Sequence, residues 1–188
     1  MTINLNQIGV GATIRINGDI LLVTEYRHVK PGKGAAFARV KLKNIKTDAV
    51  MEKTFRPADK LEEIEIEERA LEYLYKTGDT YHFIDHTTYE QVAVAAEDLG
   101  NVAGLLLENL EVTGLICQNK ILKIVLPIFI IAKIVETEPG VRGDSSRAGN
   151  KPAKIETGTT ILVPLFINVD DWIKIDTRTG QYVERVQK

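Results

Sequence analysis

The chain has 188 residues, 44% hydrophobic and 27% charged, with a net charge of -2. These values are ordinary for a soluble globular protein of one to three small domains. The single cysteine, Cys117, rules out an internal disulfide, fits a reducing cytoplasm and, in an apolar run, is expected to be a buried thiol. No secretory signal is expected, because residues 1–7 lack a basic region and an apolar core. The most apolar stretch, residues 121–135, is interrupted by Lys123, Pro127 and Lys133, so no membrane span is expected.

Charge is unevenly spread. Residues 1–64 carry +4 (eleven Lys/Arg, seven Asp/Glu), residues 65–128 carry -7 (four, eleven) and residues 129–188 carry +1 (nine, eight). A basic first part suits contact with nucleic acid, and an acidic middle suits protein or solvent.

The first 64 residues read as short strands between frequent turns: Gly9-Val10-Gly11, Asn17-Gly18-Asp19, a loop around Lys33, and Lys46-Thr47-Asp48. This predicts a small, curved SH3-like barrel. Within it, Ile20–Tyr26 and Ala36–Leu42 read as two strands of a hairpin. The loop His28-Val29-Lys30-Pro31-Gly32-Lys33-Gly34 places a lysine between glycines and after a proline. Pro31 fixes φ, and Gly32 and Gly34 permit conformations closed to other residues, so the tip is expected to project the Lys33 amine. It is not a phosphate-binding loop: Gly34 follows Lys33 where Ser or Thr is required, and Arg27 stands where the first glycine should be.

A boundary is placed in the alternating run Leu61–Glu67. Residues 65–128 then predict strands at 68–75 and 81–84, a capping box at Thr87-Thr88-Tyr89-Glu90, and helical content over 89–110 broken at Gly100 or Gly104. Strands return after it, with Gln118-Asn119-Lys120 as a turn, which predicts an OB-type barrel. The second boundary is Leu126-Pro127-Ile128. Residues 129–188 predict a third all-β unit, with strands at 129–137, 160–169, 172–176 and 182–186. A long loop runs from Pro139 to Pro152, and a loop of that length is expected to be functional or disordered. Its Arg142-Gly143-Asp144-Ser145 spells an adhesion tetrapeptide, which is read as coincidence in a chain without a secretion signal.

Catalytic machinery is not expected. His28, His82 and His86 do not form a metal-ligand set, and no nucleophile–base pair or carboxylate dyad has suitable spacing. Asp170 and Asp171 are adjacent, so on a strand they would face opposite ways.

Three motifs in order carry a resemblance to bacterial elongation factor P along essentially the whole chain. They are Lys30-Pro31-Gly32-Lys33-Gly34 with Ala36–Leu42, then Pro139-Gly140-Val141-Arg142-Gly143-Asp144-Ser145, then Lys151-Pro152-Ala153 with Thr157-Gly158, Val163-Pro164-Leu165-Phe166 and Ile173–Arg178. The resemblance implies an SH3-like (KOW-like) domain at 1–64 followed by OB domains at 65–128 and 129–188, in an L shape like tRNA. It implies a non-enzymatic, cofactor-free cytoplasmic factor that binds the 70S ribosome between the P and E sites and relieves stalling at consecutive prolines. Its implied partners are rRNA, P-site peptidyl-tRNA, mRNA in the E site, and an enzyme that modifies Lys33. Lys33 would reach toward the CCA end of the tRNA, positioned by Pro31, Gly32 and Gly34. Gly143, Asp144 and Ser145 would face the mRNA, with Ser145 replacing a threonine. Lys30, Arg39, Tyr182 and Arg185 are further candidate RNA contacts. Asp170 stands where the family has glycine, which suggests a local change of turn. The competing expectation is a general OB-fold RNA-binding module or RNA chaperone, weakly supported because only 6% of residues are aromatic.

Overall fold

The computed structural model describes residues 2–4 (backbone only), 7–32, 36–139 and 149–187. Its strands are β1 (Thr2–Asn4), β2 (Thr13–Ile16), β3 (Asp19–Val29), β4 (Phe37–Asn44), β5 (Val50–Phe55), β6 (Lys60–Glu63), β7 (Glu67–Thr77), β8 (Thr80–Asp85) and β9 (Gln91–Ala95). After one helical turn, α1 (Ala96–Leu99), and a 3-10 turn (Gly100–Leu105), they continue as β10 (Glu111–Cys117), β11 (Lys120–Val125), β12 (Phe129–Thr137), β13 (Asn150–Ile155), β14 (Thr160–Pro164), β15 (Trp172–Asp176) and β16 (Gln181–Val186). They form three sheets, ordered β1-β6-β2-β3-β4-β5, β11-β10-β7-β8-β9 and β14-β13-β12-β15-β16. The protein is therefore nearly all-β, with three β-sheet domains, as expected. By contacts, residues 1–68 with 115–123 form one compact unit, and residues 69–114 with 124–188 form another.

Alternation builds each core. In β4, Ala38, Val40 and Leu42 are fully buried while Arg39 and Lys41 between them are exposed. In the third sheet Ile130, Ala132 and Ile134 face Ile173 and Ile175 in the same way. Each isoleucine so buried contributes about 1.5–3 kcal/mol. The second sheet buries an aromatic trio, with Tyr73 lying 5.7 Å from Tyr81 and 5.5 Å from Phe83 between ring centroids. Gly114 in β10 makes room for Leu71, since a Cβ there would lie 2.6 Å from Leu71 Cδ1 and the leucine would have to shift. Asn17-Gly18 has both φ angles positive, 52° and 92°, as a two-residue hairpin turn demands. Gln118-Asn119 does the same at 50° and 61°.

Three expectations are corrected. Most of the helix expected over 89–110 is absent: Gln91–Ala95 is β9, and Val92 and Val94 pair with Phe83 and Tyr81 of β8. The alanines favour helix, but sheet pairing overrides that weak local preference. The supposed capping box closes the β8–β9 turn instead. Asp85 Oδ1 accepts hydrogen bonds from the Thr87 N–H (2.7 Å) and the Thr88 N–H (3.2 Å), and Tyr89 sits at φ 58°. The strand expected over 160–169 stops at Pro164, where the chain turns and the Ile167 N–H donates to the Pro164 carbonyl at 3.1 Å. Cys117 is buried as expected.

Candidate nucleic-acid interface

The β3–β4 hairpin is the scaffold of the first candidate site. Its strands pair from Leu21↔Asn44 to Val29↔Phe37, with a bulge between Val23 and Glu25. The bulge leaves Thr24 unpaired, and its hydroxyl donates to the Lys41 carbonyl at 3.1 Å. Beyond Val23 the β3 side chains leave the core: Tyr26 is half-buried, and Arg27, His28 and Lys30–Gly32 are exposed. At ~3.3 Å per residue, the stretch from Val23 to Val29 spans roughly 20 Å.

One face of this hairpin is basic. Arg27 and Arg39 stand directly opposite, a like-charge pair that a sheet normally disfavours. Glu25 relieves it by pairing with Arg27, and lies 3.7 Å from Lys41. The Arg27 guanidinium beside Glu25, reinforced by Lys41, holds that carboxyl below its ordinary range against the slight opposing effect of burial. Arg39 lies 6.0 Å from the Phe37 ring centroid, a cation–π contact, and has no carboxylate partner among the described residues. Lys30, Pro31 and Gly32 are exposed at the approach to the tip. Gly32 is not in the left-handed region and a Cβ there would meet nothing within 4 Å, so the backbone here does not itself demand glycine. Lys33 and Gly34 lie outside the described residues, as do Gly143, Asp144 and Ser145.

The second candidate site lies on the third sheet. Tyr182 is half-buried against the core opposite Ile175. Arg185, opposite Ile173, lies 5.9 Å from the centroid of the exposed Phe166 ring and 3.9 Å from Asp171. Asp170 sits at φ 72°, a conformation that suits glycine, and its carboxylate is 2.6 Å from Lys133 Nζ. Asp170 and Asp171 belong to that turn and not to a strand.

Several supporting residues escape sequence reasoning. Lys151 is buried, and its ammonium donates to the Glu138 carbonyl at 2.6 Å, across the base of the loop after β12. Alternation with Ala153 and Ile155 was the available signal, but a lysine reads as exposed. Leu105, at the end of the 3-10 turn, is buried in the core of the third sheet. Among the described residues no group of three or more His, Cys, Asp or Glu side chains could hold a metal. His82 stacks on Tyr75 at 4.6 Å, and His86 lies 3.2 Å from Glu72. No helix among them is long and apolar enough to cross a membrane.

Three small β modules, the first with a basic hairpin, make this a multidomain β protein with a candidate nucleic-acid-binding face. Family models match in sequence: the elongation factor P KOW-like domain over residues 4–61, the elongation factor P OB domain over 66–124, and elongation factor P, C-terminal, over 130–185. Elongation factor P from Caldanaerobacter subterraneus subsp. tengcongensis is 50% identical over 176 residues, 94% of this chain and 95% of that protein. The one from Pelotomaculum thermopropionicum is 45% identical over 184 residues, 98% of this chain and all of that protein. The chain belongs to the elongation factor P family. A solved structure, eukaryotic translation initiation factor 5A from Methanococcus jannaschii, is 26% identical, with a TM-score of 0.50 over 66% of this chain and 94% of that one.

Proposed function

We propose that this translation factor binds the ribosome between the P and E sites and speeds peptide-bond formation at consecutive prolines, as a cytoplasmic, non-enzymatic protein. The reading divides the chain into domains 1–64, 65–128 and 129–188. Proline is a poor partner in peptide-bond formation because its ring restricts geometry. A factor that orders the peptidyl-tRNA end removes entropy from the barrier, which is worth several kcal/mol. Lys33, at the tip framed by Pro31, Gly32 and Gly34, would act as a cationic strut against the CCA end, and a group added to it would lengthen its reach. Gly143, Asp144 and Ser145 would meet mRNA, with Tyr182 and Arg185 as further contacts.

The observation that carries the reading is the Arg27–Arg39 face. Two guanidinium groups side by side, one neutralised by Glu25 and the other resting on Phe37, form a surface that a phosphate backbone would stabilise. Binding tests it. The protein should bind ribosomes with peptidyl-tRNA in the P site and be displaced by deacylated tRNA entering the E site. Free single-stranded RNA should bind at least ~100-fold more weakly. Equal affinity for both would favour the general RNA-binding reading.

A further inference from the structure

The turn between β13 and β14 is shaped around one foreign carbonyl. The Ile155 N–H donates to the Thr159 carbonyl (2.9 Å), the Gly158 N–H to the Ile155 carbonyl (2.8 Å), and Gly158 takes φ 89°. This tight turn aims two hydroxyls the same way. Thr157 Oγ1 donates to the Gly104 carbonyl at 2.6 Å, and Thr159 Oγ1 donates to the same oxygen at 2.7 Å. Gly104 lies in the 3-10 turn between β9 and β10 of the second sheet, more than fifty residues earlier in the chain. A Cβ there would stand 2.5 Å from Thr159 Oγ1, so a side chain at this position would push that hydroxyl off the carbonyl. The next residue, Leu105, is buried with Ile130, Ile155 and Ile161 in the third sheet's core. On the linker, the Thr177 hydroxyl donates to the Pro127 carbonyl at 2.7 Å and the Thr177 N–H to the Ile128 carbonyl at 2.9 Å.

We propose that Gly104, Thr157 and Thr159 form a clasp that fixes the second β domain to the third, and that they are positioning residues for the third domain's ribosome contacts. The clasp is bipartite. Two hydroxyls satisfy both lone pairs of one carbonyl, and the adjacent leucine plugs the neighbouring core. Such a joint sets one orientation, because a rotation that breaks either hydrogen bond also withdraws Leu105. The functional half rests on the proposed ribosome binding. A factor held at two places gains affinity only while its modules keep the spacing between them, and a loosened joint lowers the effective concentration of the second contact.

The test joins an orientation readout to a functional one, in the full chain with Cys117→Ala. Spin labels at Glu90→Cys and Glu184→Cys report the distance between the two domains. The wild-type clasp should give one narrow distribution. Gly104→Ala should broaden or shift it. Gly104→Ala with Thr159→Ala should bring it part of the way back, since removing the hydroxyl leaves Thr159 Cβ as the nearest atom, at 3.7 Å, while Thr157 still donates to the carbonyl. Thr157→Ala/Thr159→Ala, which deletes the donors without a collision, should also broaden it, and keeps the test informative if Gly104→Ala fails to fold. In a triproline translation assay, Gly104→Ala should raise the half-saturating factor concentration about tenfold with little change in the saturated rate, and the rescue pair should lower it part of the way back. A distribution indifferent to all three variants overturns the clasp. Altered distances with an unchanged half-saturating concentration overturn the positioning role. Lys33→Ala, run alongside, separates this from the proposed function: a Lys33→Ala protein with full activity would sink that reading, while the distance measurement still judges the clasp.

Discussion

Single side chains decide local conformation where the backbone asks for something unusual. Asp170 at φ 72° carries strain of about 1 kcal/mol, partly offset by its exposed pairing with Lys133. Replacing it with glycine removes strain and ion pair together and adds unfolded-chain entropy. Asp170→Gly should therefore unfold in urea within about 0.5 kcal/mol of wild type, whereas Asp170→Val should lose about 1.5 kcal/mol. A glycine variant less stable than the valine variant would contradict this. Asp85 makes a sharper case. Its side chain is buried, which pushes its pKa up, but the Thr87 and Thr88 N–H groups and Arg69 outweigh burial and hold the carboxyl below the usual range. A depressed carboxylate contributes stability that is present above its unfolded pKa of about 4 and is lost as pH falls through the folded value. Asp85→Ala should cost about 1 kcal/mol at pH 7, since the Thr87 and Thr88 N–H groups lose their acceptor but can turn to water. The gap between wild type and Asp85→Ala in urea melts should narrow below about pH 4. A gap constant down to pH 2 would show that the charge contributes nothing.

Elements follow from pattern, and patterns are legible where local and tertiary preference agree. The strand expected at 129–137 and its partner at 172–176 coincide with β12 and β15, because period-two apolar residues and β-branched side chains point the same way. The pairing of β3 with β4 was legible for the same reason. The helical expectation for 89–110 failed where Ala93 and Ala95 said helix and cross-strand pairing with β8 said sheet. Gly100 still ends α1, at φ 54°. Lys151, Leu105 and the Gly104 clasp could not be read, because each acts through a contact distant in sequence. For the hairpin, Arg39→Gln should weaken ribosome binding and lower the slope of log affinity against log salt by about 1, the loss of one phosphate contact. An unchanged slope would place Arg39 away from RNA. For the 3-10 turn, Leu105→Ala should cost about 2–5 kcal/mol in urea unfolding, as deletion of a core leucine does. A cost below about 1 kcal/mol would mean that the third core closes without it.

At the scale of the molecule, the charge asymmetry read from the sequence matches where the basic hairpin falls: the first sheet carries it, and the acidic middle holds the aromatic trio in its interior. No cofactor or nucleophile is needed by this account. Under the proposed function the factor would occupy a place on the ribosome and order what lies next to it. That makes the amine at residue 33 the central claim. The most direct measurement is the rate of peptide-bond formation on a template encoding three consecutive prolines, in a reconstituted system, with the natively produced protein of verified intact mass or its Lys33→Ala variant. The account predicts that the wild-type protein raises the rate by an order of magnitude or more, and that Lys33→Ala, folded and still ribosome-bound, does not. Equal stimulation by both proteins would contradict it.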